Sequence, residues 1–137
     1  MLVFGRTVQD KDAIKGLMFV KKPLYSRQGM LFDMHPKPTI HSMWMKNTYI
    51  PLDVIFLDEN MKIIGYKENN QPHSLRKIKI NKPSRYVLEM NGGNINKYNL
   101  KKGDKIYFIN LKYVYFLIII ILILYVIYKC NLFSFMN

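Results

Sequence analysis

Cysteine is all but absent. The only one, Cys130, lies beyond a long apolar run, so residues 1–129 form no internal disulfide and must be held by packing alone. Acidic side chains are scarce, 9 against 21 basic, leaving a net charge of +12. Up to Lys112 there are 20 basic and 9 acidic side chains, so this part carries +11. Such a charge either draws the chain to anionic lipid or nucleic acid or forms a solvated, Lys-rich surface. Arginine is rare: 17 Lys stand against 4 Arg, with 12 Asn, a bias that AT-rich codons produce without selection for charge. The N-terminal stretch MLVFGRTVQDKDAIKG has no apolar core of signal-peptide length, so membrane entry is expected to depend on the other end of the chain. There is no G-x-S-x-G turn and no Gly-rich phosphate loop; Gly92 and Gly93 suit a tight turn.

What the chain does have is a run of sixteen uncharged residues, YVYFLIIIILILYVIY, from Tyr113 to Tyr128, bounded by Lys112 and Lys129. Soluble proteins seldom bury apolar runs longer than about 14 residues, so this one reads as a transmembrane helix. Its end tyrosines suit the interfacial belt, and its flanking lysines can snorkel. Lys97, Lys101, Lys102, Lys105 and Lys112 precede the span and only Lys129 follows it. By the positive-inside rule the preceding domain is expected to stay cytoplasmic, as in a tail-anchored protein. Cys130, just past the span, is either a palmitoylation site or an unmodified apolar thiol.

Residues 1–110 read as one mainly β domain, a small antiparallel sandwich or barrel, and residues 111–137 as the span and a short tail. Thr7 with Asp10 resembles a capping box, followed by Ala13 and Ile14 and closed by Gly16, which predicts one short N-terminal helix. Short apolar runs then alternate with turn residues: GLMF (16–19), GMLF (29–32), SMWM (42–45), DVIFL (53–57), KIIGY (62–66), KIKI (77–80), YVLEM (86–90) and KIYFI (105–109). Asp58, Glu59 and Asn60 predict a hairpin between DVIFL and KIIGY. Pro36, Pro38, Pro51, Pro72 and Pro83 fall in the gaps, as strands require. RKIKINKPSR (76–85) predicts a strand with one basic face carrying Arg76, Lys77, Lys79, Lys82 and Arg85.

Four pieces in order, GLMF, GMLF, WMKNTYIPLDVIF (44–56) and YVLEMNGG with KKGDKI (86–93 and 101–106), resemble the domain of unknown function 192 family over about residues 3–109. The resemblance implies a mainly β fold with a short helix near the start, and implies no activity. Two departures stand out. Members often carry an N-terminal export signal or lipid anchor, whereas this chain has a C-terminal span. The arginine usual after the first motif is replaced by Val20, followed by Lys21 and Lys22. A tail anchor on a domain of prokaryotic type, with AT-rich coding, points to a large DNA virus or an AT-rich microbe as the source. In a virus the domain is expected on the virion interior.

The segment Trp44, Met45, Lys46, Asn47, Thr48 and the nearby Asp53 hold the most unusual chemistry. In a strand Trp44, Lys46 and Thr48 share one face, so an aromatic wall, a cation and a hydroxyl line one groove for an anionic or polar ligand. Alternatively Trp44 fills the core, Asn47 and Thr48 make a turn, and Lys46 pairs with Asp53. Glu89, inside YVLEM, either faces solvent or requires a buried partner. Met18, Met30, Met34, Met43 and Met45 with His35 and His41 raise a soft copper site, but their spacing is that of flexible methionines filling a core. With His35, His41 and His73 the only histidines, zinc finds too few ligands, and no cofactor is implied. His41 and Ser42 are adjacent, which puts their side chains on opposite faces of a strand and argues against a nucleophile–base pair. Three functions remain open: a membrane-tethered module binding a small ligand or protein partner; an enzyme whose Trp44, Lys46, Asn47, Asp53 and Glu89 converge on one cleft; and a basic surface for nucleic acid or anionic lipid.

Overall fold

The computed structural model describes residues 1–9, 14–34 and 37–135. Six strands form one sheet: β1 (Leu2–Val8), β2 (Gln28–Asp33), β3 (Leu52–Leu57), β4 (Ile63–Asn70), β5 (Tyr86–Asn91) and β6 (Tyr107–Asn110). A four-residue helix α1 (Asn94–Lys97) lies between β5 and β6, and a 25-residue helix α2 (Leu111–Phe135) follows β6 directly.

The spatial order is β4-β3-β5-β2-β1-β6. The mainly β expectation holds, but the sheet is mixed rather than antiparallel throughout, because β1 runs parallel to both β2 and β6. Parallel neighbours need a crossover of a dozen or more residues, and residues 9–27 supply one between β1 and β2. The two edges meet at one end. Lys62, just before β4, bridges Lys105, just before β6, and the Ile63 and Ile106 amides donate to the Asp104 and Met61 carbonyls at 2.9 Å each.

DVIFL, GMLF, KIIGY, YVLEM and KIYFI fall on strands, and β3 and β4 form the expected hairpin. Asp58 caps that turn by accepting the Asn60 and Lys62 amides, and Met61 takes the left-handed conformation it requires. GLMF is a turn rather than a strand, with Gly16 and Phe19 at positive φ. SMWM and KIKI meet only through an isolated bridge, Met43 with Ile78, and Ile80 packs over Gly65 of β4. Residues 10–13 of the expected N-terminal helix lie outside the described residues; Ile14 and Lys15 before Gly16 are helical, whereas Thr7, read as the cap, lies inside β1.

Every residue of β3 is buried, because both faces of the sheet are covered. Strand alternation then sorts the core into two clusters. Ile55, Leu57, Leu88, Met90, Val3 and Ile95 fill one side. Leu52, Val54, Phe56, Val87, Phe32 and Met45 fill the other. Gly5 shows how closely the strands approach, since a side chain there would overlap the carbonyl oxygen of Gly29 on β2.

α2 is long and apolar enough to cross a membrane, and its residues from Tyr113 to Tyr128 are exposed on every face. At 1.5 Å per residue its 25 residues span about 37 Å, more than a hydrocarbon core of about 30 Å. It begins two residues earlier than the uncharged run, and includes both flanking lysines.

Candidate functional site

The second face of the sheet carries a recess between two turns. One turn is Gly16–Phe19; the other is formed by Lys46 and Asn47, with Asn47 in the left-handed region, which Asn tolerates better than most residues. The Phe19 amide donates to the Asn47 carbonyl at 2.8 Å and ties the two turns together. Met45 is driven into the core, and its amide donates to the Ser74 carbonyl at 3.0 Å, which ties the second turn to the segment after β4. The recess has a volume of about 30 Å³, and Leu17, Met18, Phe32, Met43, Trp44, Thr48 and Glu89 contribute to its lining.

Glu89 is the polar group on its floor. On β5 it lies opposite Met30 of β2 and Val54 of β3, with 4 % of its surface exposed. Burial pushes its carboxyl up from 4.5 to about 8, because a desolvated carboxylate is costly. Among the described residues Lys15, exposed at the mouth, is the one cation in the lining, and no side chain or amide bonds to the Glu89 carboxyl. Thr48 is buried, and its hydroxyl donates to the Lys46 carbonyl at 3.3 Å.

The residues singled out by sequence therefore separate. Trp44, Thr48 and Glu89 line the recess, and Asn47 holds its wall. The backbone turns between Trp44 and Thr48, so the single strand face expected for Trp44, Lys46 and Thr48 does not form. Lys46 is exposed outside the recess, with Nζ 5.2 Å from the centre of the Trp44 ring, a cation–π contact. Trp44 is 48 % exposed and so is a rim rather than core. Asp53 sits across the sheet from Glu89, since alternation on β3 places it with Ile55 and Leu57. There it is fully buried. Its Oδ1 accepts the amides of Asn69 at 2.7 Å and Gly93 at 3.1 Å, and its Oδ2 accepts that of Ile95 at 2.7 Å. α1 has no side-chain cap from its own segment, and Asp53 takes that part from another strand. Met18, Met43 and Phe32 join the site as apolar wall, which the motif GLMF did not reveal because its apolar letters resemble a strand.

The methionines of the copper reading do not gather on one point: Met18 and Met43 line the recess, Met45 is core, and Met30 and Met34 pack against the second cluster. His35 lies outside the described residues. His41 is within 3.1 Å of the Thr39 hydroxyl, and burial lowers its pKa, with a hydrogen bond to the Ser84 backbone acting the other way. Among the described residues no group of three or more His, Cys, Asp and Glu side chains is placed to hold a metal.

A second, open groove of about 780 Å³ runs between the end of β4 and residues 74–81. Arg76, Lys77 and Lys79 of the expected basic surface line it, joined by Lys67, with Glu68 as the acid. Lys82 is exposed. Arg85 does not belong to this surface: it is buried, paired with Asp33, and stacked 4.6 Å from the Tyr86 ring. Alternation explains its departure, since residues 81–84 break the strand phase on which the basic face was drawn.

A family model for domain of unknown function 192, described as "Uncharacterized ACR", matches residues 7–108. Two solved structures are similar over 74 % of this chain. One, a protein of unknown function from Novosphingobium aromaticivorans, is 33 % identical over 71 % of its own chain, with a TM-score of 0.69. The other, described as a candidate transcription regulator from Sinorhizobium meliloti, is 35 % identical over 78 % of its chain, with a TM-score of 0.70. No curated protein matches the chain.

Proposed function

The chain belongs to the domain of unknown function 192 family, and from that footing we propose that it is a membrane-anchored binding module whose recognition site is the recess over Glu89. The observation that carries this reading is the Glu89 carboxyl itself. A desolvated carboxyl that, among the described residues, has no hydrogen-bond partner costs stability, and a fold that retains one at the floor of a recess offers it to something outside the chain. The catalytic alternative required Trp44, Lys46, Asn47, Asp53 and Glu89 to converge. Asp53 lies on the opposite face and Lys46 outside the recess, so binding is the better supported class.

In this reading α2 is the anchor, and the lysines before it support a cytoplasmic position for the domain, or its equivalent, the interior in a virion. The basic groove supports a second reading, contact with the phosphates of nucleic acid or anionic lipid. Among the described residues no aromatic side chain lines it, so bases would find no stacking platform there, and affinity would fall steeply with salt.

A ligand screen by thermal shift on the full chain in non-ionic detergent tests the main reading, since a ligand that binds the folded state raises its apparent stability. The expected result is a compound that stabilises the parent and the Lys46→Ala variant but leaves Glu89→Gln unmoved. Equal stabilisation of the parent and Glu89→Gln by every hit would remove the recess as the site.

A further inference from the structure

We propose that the recess binds a primary ammonium group carried on an unbranched aliphatic stem, with the head on Glu89 and Thr48 and the stem along Trp44 and Met18. This rests on the binding reading above and specifies its ligand.

Size comes first. At about 30 Å³ the recess is small, so it takes one compact polar head. An ammonium is a compact point charge, more so than a planar guanidinium. Charge comes next. Glu89 is the acid in the lining, and Lys15, the cation there, is exposed at the mouth and makes no ion pair with it. The incoming group must therefore be cationic or a strong donor.

Hydrogen-bond capacity narrows the choice further. An ammonium has three donors and no acceptor. The floor offers two carboxyl oxygens of Glu89 and the hydroxyl oxygen of Thr48, whose own hydrogen is already given to the Lys46 carbonyl. Leu17, Met18, Phe32 and Met43 are apolar, which suits methylenes, and the exposed Trp44 at the rim already holds one ammonium, that of Lys46, against its ring. A protein that places an acid under an apolar collar matches an alkylammonium, whether a free amine or the side chain of a lysine.

Binding is coupled to a proton. Burial keeps Glu89 protonated up to about pH 8, and an arriving ammonium favours the carboxylate, so the proton leaves Glu89 for solvent as the ammonium enters. Met30, Val54, Trp44 and Thr48 face Glu89 from the neighbouring elements and none is charged at these pH values; among the described residues Lys15 at the mouth and Lys46 against the Trp44 ring are the charged groups at the rim. Affinity therefore rises with pH, roughly fiftyfold between pH 6 and pH 8 if only the carboxylate binds.

The test is calorimetric titration of the full chain in non-ionic detergent with n-butylamine hydrochloride and, separately, Nα-acetyl-lysine amide, at pH 6 and pH 8 in buffers of different ionisation heat. Saturable one-to-one binding is expected, tighter at pH 8, with close to one proton released at pH 6, abolished by Glu89→Gln and retained by Lys46→Ala. Binding of n-butylamine alone assigns a free amine as the source; binding of both admits a lysine side chain. Equal binding of n-butanol, or amine binding that survives Glu89→Gln or releases no proton, overturns the proposal. If amines fail while another compound stabilises the parent but not Glu89→Gln, the ammonium assignment falls and the recess remains a binding site. If nothing discriminates the two proteins, both fall.

Discussion

Asp53→Ala is expected to destabilise the domain by about 3 to 5 kcal/mol, a large part of the 5 to 15 kcal/mol that holds a typical domain together. The side chain is fully buried, and it satisfies the amides of Asn69, Gly93 and Ile95. Removing it orphans three donors at once, in a place where α1 has no other cap. Asp53→Asn keeps the shape but turns an amide nitrogen toward either Ile95 or the Asn69–Gly93 pair, so two donors face one another. It is expected to recover only part of the loss. Denaturant unfolding of the full chain in detergent, followed by the fluorescence of Trp44, the single tryptophan, measures both. A loss below about 1 kcal/mol for Asp53→Ala would mean that these hydrogen bonds do not hold β3 to α1.

Glu89→Gln is expected to do the reverse, and to do it only at higher pH. The folded state holds the Glu89 proton up to about pH 8, whereas an unfolded glutamate loses it near 4.5. Between those values the folded state binds one proton more than the unfolded state, so stability falls as pH rises, by about 1.4 kcal/mol per unit. The contribution is complete below about pH 4.5 and gone above about pH 8. Glutamine does not titrate. Between pH 5.5 and 7.5 the parent should therefore lose about 2 to 3 kcal/mol relative to Glu89→Gln. Parallel unfolding curves of the two proteins across that range would show that Glu89 is solvated or paired in the folded state.

How much of this was legible in the sequence depended on whether local chemistry or distant pairing decided the outcome. The β3–β4 hairpin was legible because Asp58–Asn60 is turn chemistry between apolar runs, and turn residues act locally. β1 was hidden because Gly5 and Arg6 interrupt its apolar residues. Gly5 is there for the close passage of β2, a requirement imposed by a strand more than twenty residues away. The parallel placement of β1 between β2 and β6 is likewise a pairing that no local signal encodes. SMWM and KIKI have the letters of strands, yet they cover the second face and make one bridge.

The site divides along the same line. Glu89 among apolar residues and the lone Trp44 were conspicuous by residue type, and both line the recess. Asp53 was grouped with them, and only the phase of the sheet separates it. With both faces of β3 buried, DVIFL carries no alternation from which that phase can be read. Arg85 had the same fate: its charge marked it as surface, and Asp33 at the end of β2 claimed it.

The most direct test of the account is the titration of Glu89 by 13C NMR of its carboxyl carbon in the full chain, selectively labelled at glutamate. The chain has three glutamates, Glu59, Glu68 and Glu89, and Glu89→Gln assigns the resonance. A midpoint near 8, moved downward by several tenths of a unit or more when n-butylamine is added, is the predicted result. A midpoint near 4.5 that the amine leaves in place would mean that Glu89 is neither isolated nor the group that receives the ligand.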